Sequence, residues 1–128
     1  MKLLLDTATF LWATLKPKEL SAHAKHLLLD LENERYLSAV SSLEIAIQYS
    51  LGKIVLPKDP EQFVPEHREK LAAQELCLDE GSALHVTRLP HLHNDPFDRV
   101  LICQAIFHGM VLLTPDTIIS KYAVRTAW

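Results

Sequence analysis

The chain has 128 residues, of which 48% are hydrophobic and 23% charged, with a formal net charge of −3. That balance belongs to one globular domain spanning 1–128 and excludes disordered, collagen-like and low-complexity chains. It also argues against a protein that coats nucleic acid by charge alone.

No apolar run approaches the ~20 residues of a membrane span. Asp6 interrupts the opening leucines before a signal-peptide core develops. Cys77 and Cys103 are far apart and apolar-flanked, which suits two buried thiols in a reducing cytoplasm.

Lys2 to Asp6 opens with a near-continuous apolar run, the pattern of a strand buried on both faces. Thr7 to about Leu15 reads as a helix ended by Lys16-Pro17, and Ser21 as the cap of a helix reaching about Glu32. Tyr36 to Val40 is the second strand. Ser41 then opens a Ser-x-x-Glu capping box with Glu44, and Gly52 stops that helix. Asp59-Pro60 starts a polar helix to about Gln74, which Pro65 should split or kink. Leu76 to Leu78 is a short third strand, and Asp79 caps a helix to Arg88. His91 to Asn94 is a loop, with His91 and His93 read first as loop surface and second as contacts to a substrate or an acid. Asp95-Pro96 opens a helix to His108 with Gly109 beyond it, and Met110 to Leu113 is the fourth strand. A helix from Asp116 to Tyr122 and an edge strand within 123–128 complete the chain. Strands separated by helices imply an α/β/α sandwich around a parallel sheet of four to five strands.

Such sheets carry their sites beyond the carboxyl ends of the strands. Asp6 ends the first strand, Glu44 follows the second, Asp116 follows the fourth, and Asp95 and Asp98 open the helix leading into it. Acids gathered on one edge repel one another and lose hydration, so they require either protons or a cation. Oxygen donors without thiolates select Mg²⁺ or Mn²⁺. Such an ion orients a phosphodiester and activates water. Local duties compete: Glu44 in its capping box, Asp95 as a helix cap, Asp98 on the helix dipole, Asp116 as a cap. Asp6 has no such excuse, since an acid ending an apolar strand is costly unless paired. Without these five acids the balance shifts from −3 to +2, leaving Lys16, Lys18, Lys53, Arg99 and Lys121 to face a phosphate backbone. An Asp-Thr after a strand also suits a metal-dependent phosphatase, but the partner acid expected two residues on is Ala8 here.

Four segments resemble the PIN-domain ribonucleases, specifically the VapC-type toxins of toxin–antitoxin pairs. They are LLLDT at 3–7, SSLEIAIQYSLGKI at 41–54, LPHLHNDPFDRVLICQA at 89–105 and LLTPDTIISKY at 112–122. The resemblance implies a Rossmann-like α/β/α sandwich and Mg²⁺- or Mn²⁺-dependent endonucleolytic cleavage of RNA in the cytoplasm. It implies that Asp6, Glu44, Asp98 and Asp116 form the acidic catalytic site, with Asp6, Asp98 and Asp116 as metal ligands. Thr7, Asp95, Arg99 and Thr114 support that site or the substrate. A cognate antitoxin and a homodimer are implied as partners; an apolar helix face near Phe10, Leu11 and Trp12 suits either a dimer contact or the core. Two positions depart from the family pattern: Gln48 stands where Lys is common, and Ala8 where His is common. A PIN-fold module that binds RNA or protein without cutting it is the other reading of the same residues.

Overall fold

The computed structural model describes residues 1–128. Strands β1 (Lys2–Leu5), β2 (Glu34–Ser38), β3 (Ala73–Leu76), β4 (Val111–Leu113) and β5 (Thr126–Ala127) form one sheet in the order β3-β2-β1-β4-β5. Every neighbouring pair is parallel. Helices α1 (Thr7–Leu15), α2 (Ala22–Leu29), α3 (Ala39–Ser50), α4 (Pro60–Lys70), α5 (Glu80–His85) and α6 (Pro96–His108) make the connections.

The two-residue period of a strand explains how the central strands fill both layers. Leu4 and Leu112 turn to one face, packing with Leu101, Ile102 and Ala105 of α6 and with Ile119 and Tyr122. Leu3, Leu5, Val111 and Leu113 turn to the other, packing with Leu20 and with Ala24 and Leu27 of α2. A third cluster joins Phe10 of α1, Leu37, Ile45 of α3, Leu56, and Phe63 and Val64 of α4. No helix is long and apolar enough to cross a membrane.

Several sequence expectations are corrected. The second helix ends at Leu29 rather than near Glu32. Its last carbonyls are taken by side chains: Asn33 Nδ2 donates to Leu27 O and Arg35 Nη1 to Leu28 O. The second strand is Glu34–Ser38, and α3 begins three residues before the expected capping box. Ser38 is the cap, its hydroxyl accepting from Val40 N–H at 3.0 Å and donating to Gln104 Oε1 at 2.6 Å. Pro65 does not split α4, because the buried Phe63 and Val64 anchor that segment. The third strand is the polar Ala73–Leu76, so no apolar pattern announced it. The expected helix 116–122 is a 3₁₀ turn at Ile119–Lys121, where Asp116 Oδ1 accepts from Ile118 N–H and bends the chain. Cys103 is buried as expected, but Cys77 is exposed. Phe10 is fully buried in the core and is not part of an external face; Leu11 and Trp12 are half-buried.

Candidate acidic site

Register brings the site together. Leu5 pairs with Leu113 on one side and Leu37 on the other, so Asp6 and Thr114, one step beyond their strands, line up with Ser38, the last residue of β2. Asp6 N–H continues the ladder to Leu113 O at 3.2 Å. Its carboxylate caps α1, Oδ1 accepting from Thr9 N–H at 2.7 Å. With only 4% of its surface exposed, Asp6 is the most buried acid of the chain. Burial raises its carboxyl above the ordinary value; the Thr114 hydroxyl opposes this and the charge of Asp116 adds to it. The Thr114 oxygen accepts from Asp116 N–H at 3.1 Å, which orders the turn carrying Asp116.

The early start of α3 decides what Glu44 does. In the second turn of the helix it caps nothing. Its Oε2 accepts from Gln48 Nε2 at 3.3 Å, while Oε1 is buried with no partner. Gln48 therefore holds Glu44 without neutralising it, as a lysine there would. Burial raises the Glu44 carboxyl; the nearby Thr7 hydroxyl opposes this, and the charges of Asp95 and Asp6 add to it. Beside it, Thr7 Oγ1 lies 3.0 Å from Ser41 Oγ, joining α1 to α3.

Asp95 caps α6 through bonds from Phe97 N–H at 2.9 Å and Asp98 N–H at 3.3 Å. Asp98, one turn in, is pushed up to about 7. Burial is the main cause; Asp95, Asp6 and Glu44 add repulsion, and a contact from His93 works against it. His93 is not loop surface. Its Nε2 lies 3.3 Å from Asp98 Oδ2, and its ring is mostly enclosed.

The structure thus places Glu44 and Asp98 within reach of the charges of Asp6 and Asp95, and Asp6 within reach of Asp116. Arg99 is different. It is buried, donating to Pro90 O at 2.9 Å and Tyr122 Oη at 3.1 Å, so it braces the loop before α6 and does not face a phosphate. Lys16, Lys18, Lys53 and Lys121 are exposed. Sequence reasoning gave Tyr122 no role, and it named Ser41 only as a cap and Gln48 only as a departure from the family pattern.

The donor set fits a hard divalent cation: carboxylates only, one buried oxygen without a partner, and several groups that resist charge unless compensated. As placed, no three acidic or imidazole side chains form a ready ligand set.

Solved structures share this architecture. VapBC2 from Rickettsia felis, bound to a promoter DNA fragment, has a chain matching 100% of this one over 99% of its own length, with TM-score 0.69 and 16% identity. DNA-bound VapBC from Salmonella typhimurium gives TM-score 0.68 at 18% identity, covering 99% of this chain and 97% of that one. FitAcB from Neisseria gonorrhoeae gives 0.62 at 22% identity, covering 97% and 95%. At such identities the likeness is one of fold. Ribonuclease VapC16 of Mycobacterium tuberculosis is 34% identical over 59 residues, which is 46% of this chain and 42% of that protein. Residues 3–125 match the PIN domain family, nearly the whole chain and every acid described above. The protein is a member of the PIN-domain family.

Proposed function

We propose that the chain is a Mg²⁺- or Mn²⁺-dependent endoribonuclease and the toxin of a toxin–antitoxin pair. The observation that carries this reading is the meeting of Asp6, Glu44, Asp98 and Asp116 at one sheet edge, with Glu44 Oε1 buried and unpartnered. The partial match to a ribonuclease, VapC16, supports the activity, and the fold shared with the VapBC complexes supports an antitoxin partner.

Asp6, Asp98 and Asp116 would hold the cation. Bound there, it supplies Lewis-acid polarisation of a phosphoryl oxygen and neutralises charge on the leaving oxygen. The protein's own parts are positional. Asp6 is fixed by Thr9 and Thr114, Asp116 by the Thr114 turn, and Asp98 by Asp95 and His93. Glu44, held by Gln48, takes the proton of the attacking water; that oxygen bonds to phosphorus, the P–O3′ bond breaks, and the leaving 3′ oxygen takes a proton from solvent. The products carry 5′-phosphate and 3′-hydroxyl ends, because the ribose 2′-hydroxyl takes no part. Such a protein acts in the cytoplasm, and homodimerisation follows from the same resemblance.

The test is cleavage of total RNA by the purified chain in Mg²⁺ or Mn²⁺, with end mapping. Asp6→Asn should cut at least about 100-fold more slowly, the scale expected when a charged group stabilising the transition state is lost. Wild-type rates from Asp6→Asn, or 2′,3′-cyclic phosphate ends, refute the assignment. A wild type that binds RNA but never cuts it identifies a non-catalytic module instead.

A further inference from the structure

We propose that His93 is a positioning residue for the Asp98 carboxylate, held in a single tautomer by a hydrogen-bond chain running from Pro90 through Arg99 and Tyr122. The inference rests on reading the acidic basin as a cation site.

Donor and acceptor roles along the chain are fixed by chemistry. Tyr122 Oη receives His93 N–H at 3.2 Å and Arg99 Nη1 at 3.1 Å. A backbone amide and a guanidinium can only donate. Both phenol lone pairs are therefore used as acceptors, and the single hydroxyl proton goes to the remaining partner, His93 Nδ1 at 2.8 Å. Nδ1 must accept, so the ring proton sits on Nε2, and Nε2 is the atom that faces Asp98 Oδ2 at 3.3 Å. Arg99 Nη1 also donates to Pro90 O at 2.9 Å, so the far end of the chain is anchored in backbone.

This is a built arrangement and not a chance loop contact. His91, Leu92 and Asn94 are exposed, and His93 alone turns inward, its ring edge-on to Tyr122 with centroids 5.5 Å apart. Tyr122 is itself locked in the core beside Ile119 and Met110. A carboxylate is free to rotate about its last bond. A donor fixed on Oδ2 removes that freedom and commits Oδ1 to the basin. Ligand-orienting partners of this kind commonly change metal affinity by about 10–100-fold when lost.

The experiment has two readouts on the full chain at mildly alkaline pH: ¹⁵N NMR of the His93 ring without metal, and calorimetric titration with Mn²⁺. The wild-type spectrum should show Nε2–H, and a protonated Nδ1 overturns the lock. His93→Ala should weaken Mn²⁺ binding about ten-fold or more, and Tyr122→Phe, which keeps the core ring, should weaken it in the same direction. His93→Gln retains an N–H donor at that reach and should recover most of the loss. Unchanged Mn²⁺ affinity in both His93→Ala and Tyr122→Phe overturns the positioning role while leaving the cation site intact. A wild type that binds no Mn²⁺ refutes the cation site itself, and the ring-nitrogen spectrum then decides the lock alone, Nε2–H supporting it and Nδ1–H refuting it.

Discussion

Raising the pH of the metal-free protein should destabilise it. Asp98 has an ordinary carboxyl value of 3.8 and is pushed up to about 7 in the fold, chiefly by burial. Burial moves Asp6 and Glu44 the same way. Between pH about 4 and 7 the native chain therefore binds more protons than the unfolded one. The stabilisation is fully present below the unfolded value and is lost as pH rises through the folded one. Three units at ~1.4 kcal/mol each set a ceiling of about 4 kcal/mol. The Asp98 side chain keeps 20% exposure. Solvent screening brings its share to on the order of 2 kcal/mol. In a domain of this size that is a fall in Tm of roughly 5–10 °C. Three groups act oppositely. His67 is depressed by burial and matters only at or below its ordinary value of 6.5; Glu66, lowered by its bond from Lys58, and Asp79, lowered by its bond from His108, matter only at or below the ordinary carboxyl range. The assay is a series of thermal melts in chelator, repeated with Mn²⁺ and with Asp98→Asn. Mn²⁺ and Asp98→Asn should each flatten the fall, and Asp98→Asn should melt above wild type at alkaline pH without metal. A wild-type Tm that holds level or climbs through this window, or an equally steep fall in Asp98→Asn, refutes the reasoning.

Phe10→Ala empties a fully buried site whose ring meets Phe63 edge-on at 6.4 Å, and should cost about 3–5 kcal/mol in denaturant unfolding. A loss under ~1 kcal/mol would mean the third cluster is not a true core. Ser38→Ala removes the α3 cap and leaves Gln104 Oε1 buried without its donor, for about 2–3 kcal/mol by the same measurement. Gly81→Ala places a Cβ 2.5 Å from Phe107 Cζ, but that ring is 55% exposed and its far end can swing aside. Relief of helical glycine should offset the remaining contact, leaving stability within ~1 kcal/mol of wild type.

Asp6, Asp98 and Asp116 were legible in the sequence because each lies one to three residues from an apolar strand or a cap-and-proline signal, and such local signals survive without coordinates. The parallel sheet was legible for the same reason. What escaped depended on contacts distant along the chain. Ser38 rather than Ser41 starts α3 because Gln104, 66 residues away, holds its hydroxyl. β3 is polar and qualifies as a strand only by pairing with β2. Arg99 reads as a phosphate-facing cation until Tyr122, 23 residues on, is found beneath it. His93 reads as loop surface until the same tyrosine turns it inward.

The sequence posed local duties as rivals to a site role for Glu44, Asp95, Asp98 and Asp116 and gave Asp6 none, yet in the structure Asp6 too makes a local bond, and such bonds leave room for a site role. A carboxylate has two oxygens. Asp6 gives Oδ1 to Thr9 N–H, Asp116 gives Oδ1 to Ile118 N–H, Asp98 gives Oδ2 to His93, and Glu44 gives Oε2 to Gln48. In each case one oxygen is tethered by its own element or an adjoining loop, and the tether sets the direction of the other. A local bond that looks like a competing explanation is thus the means by which a short acidic side chain acquires a defined orientation. The rule also covers Asp95. Its Oδ1 serves two N–H groups at the start of α6, and its repulsion helps to raise Asp98. Asp95 builds the helix end that presents Asp98, and like the other four it keeps one oxygen free of backbone duty.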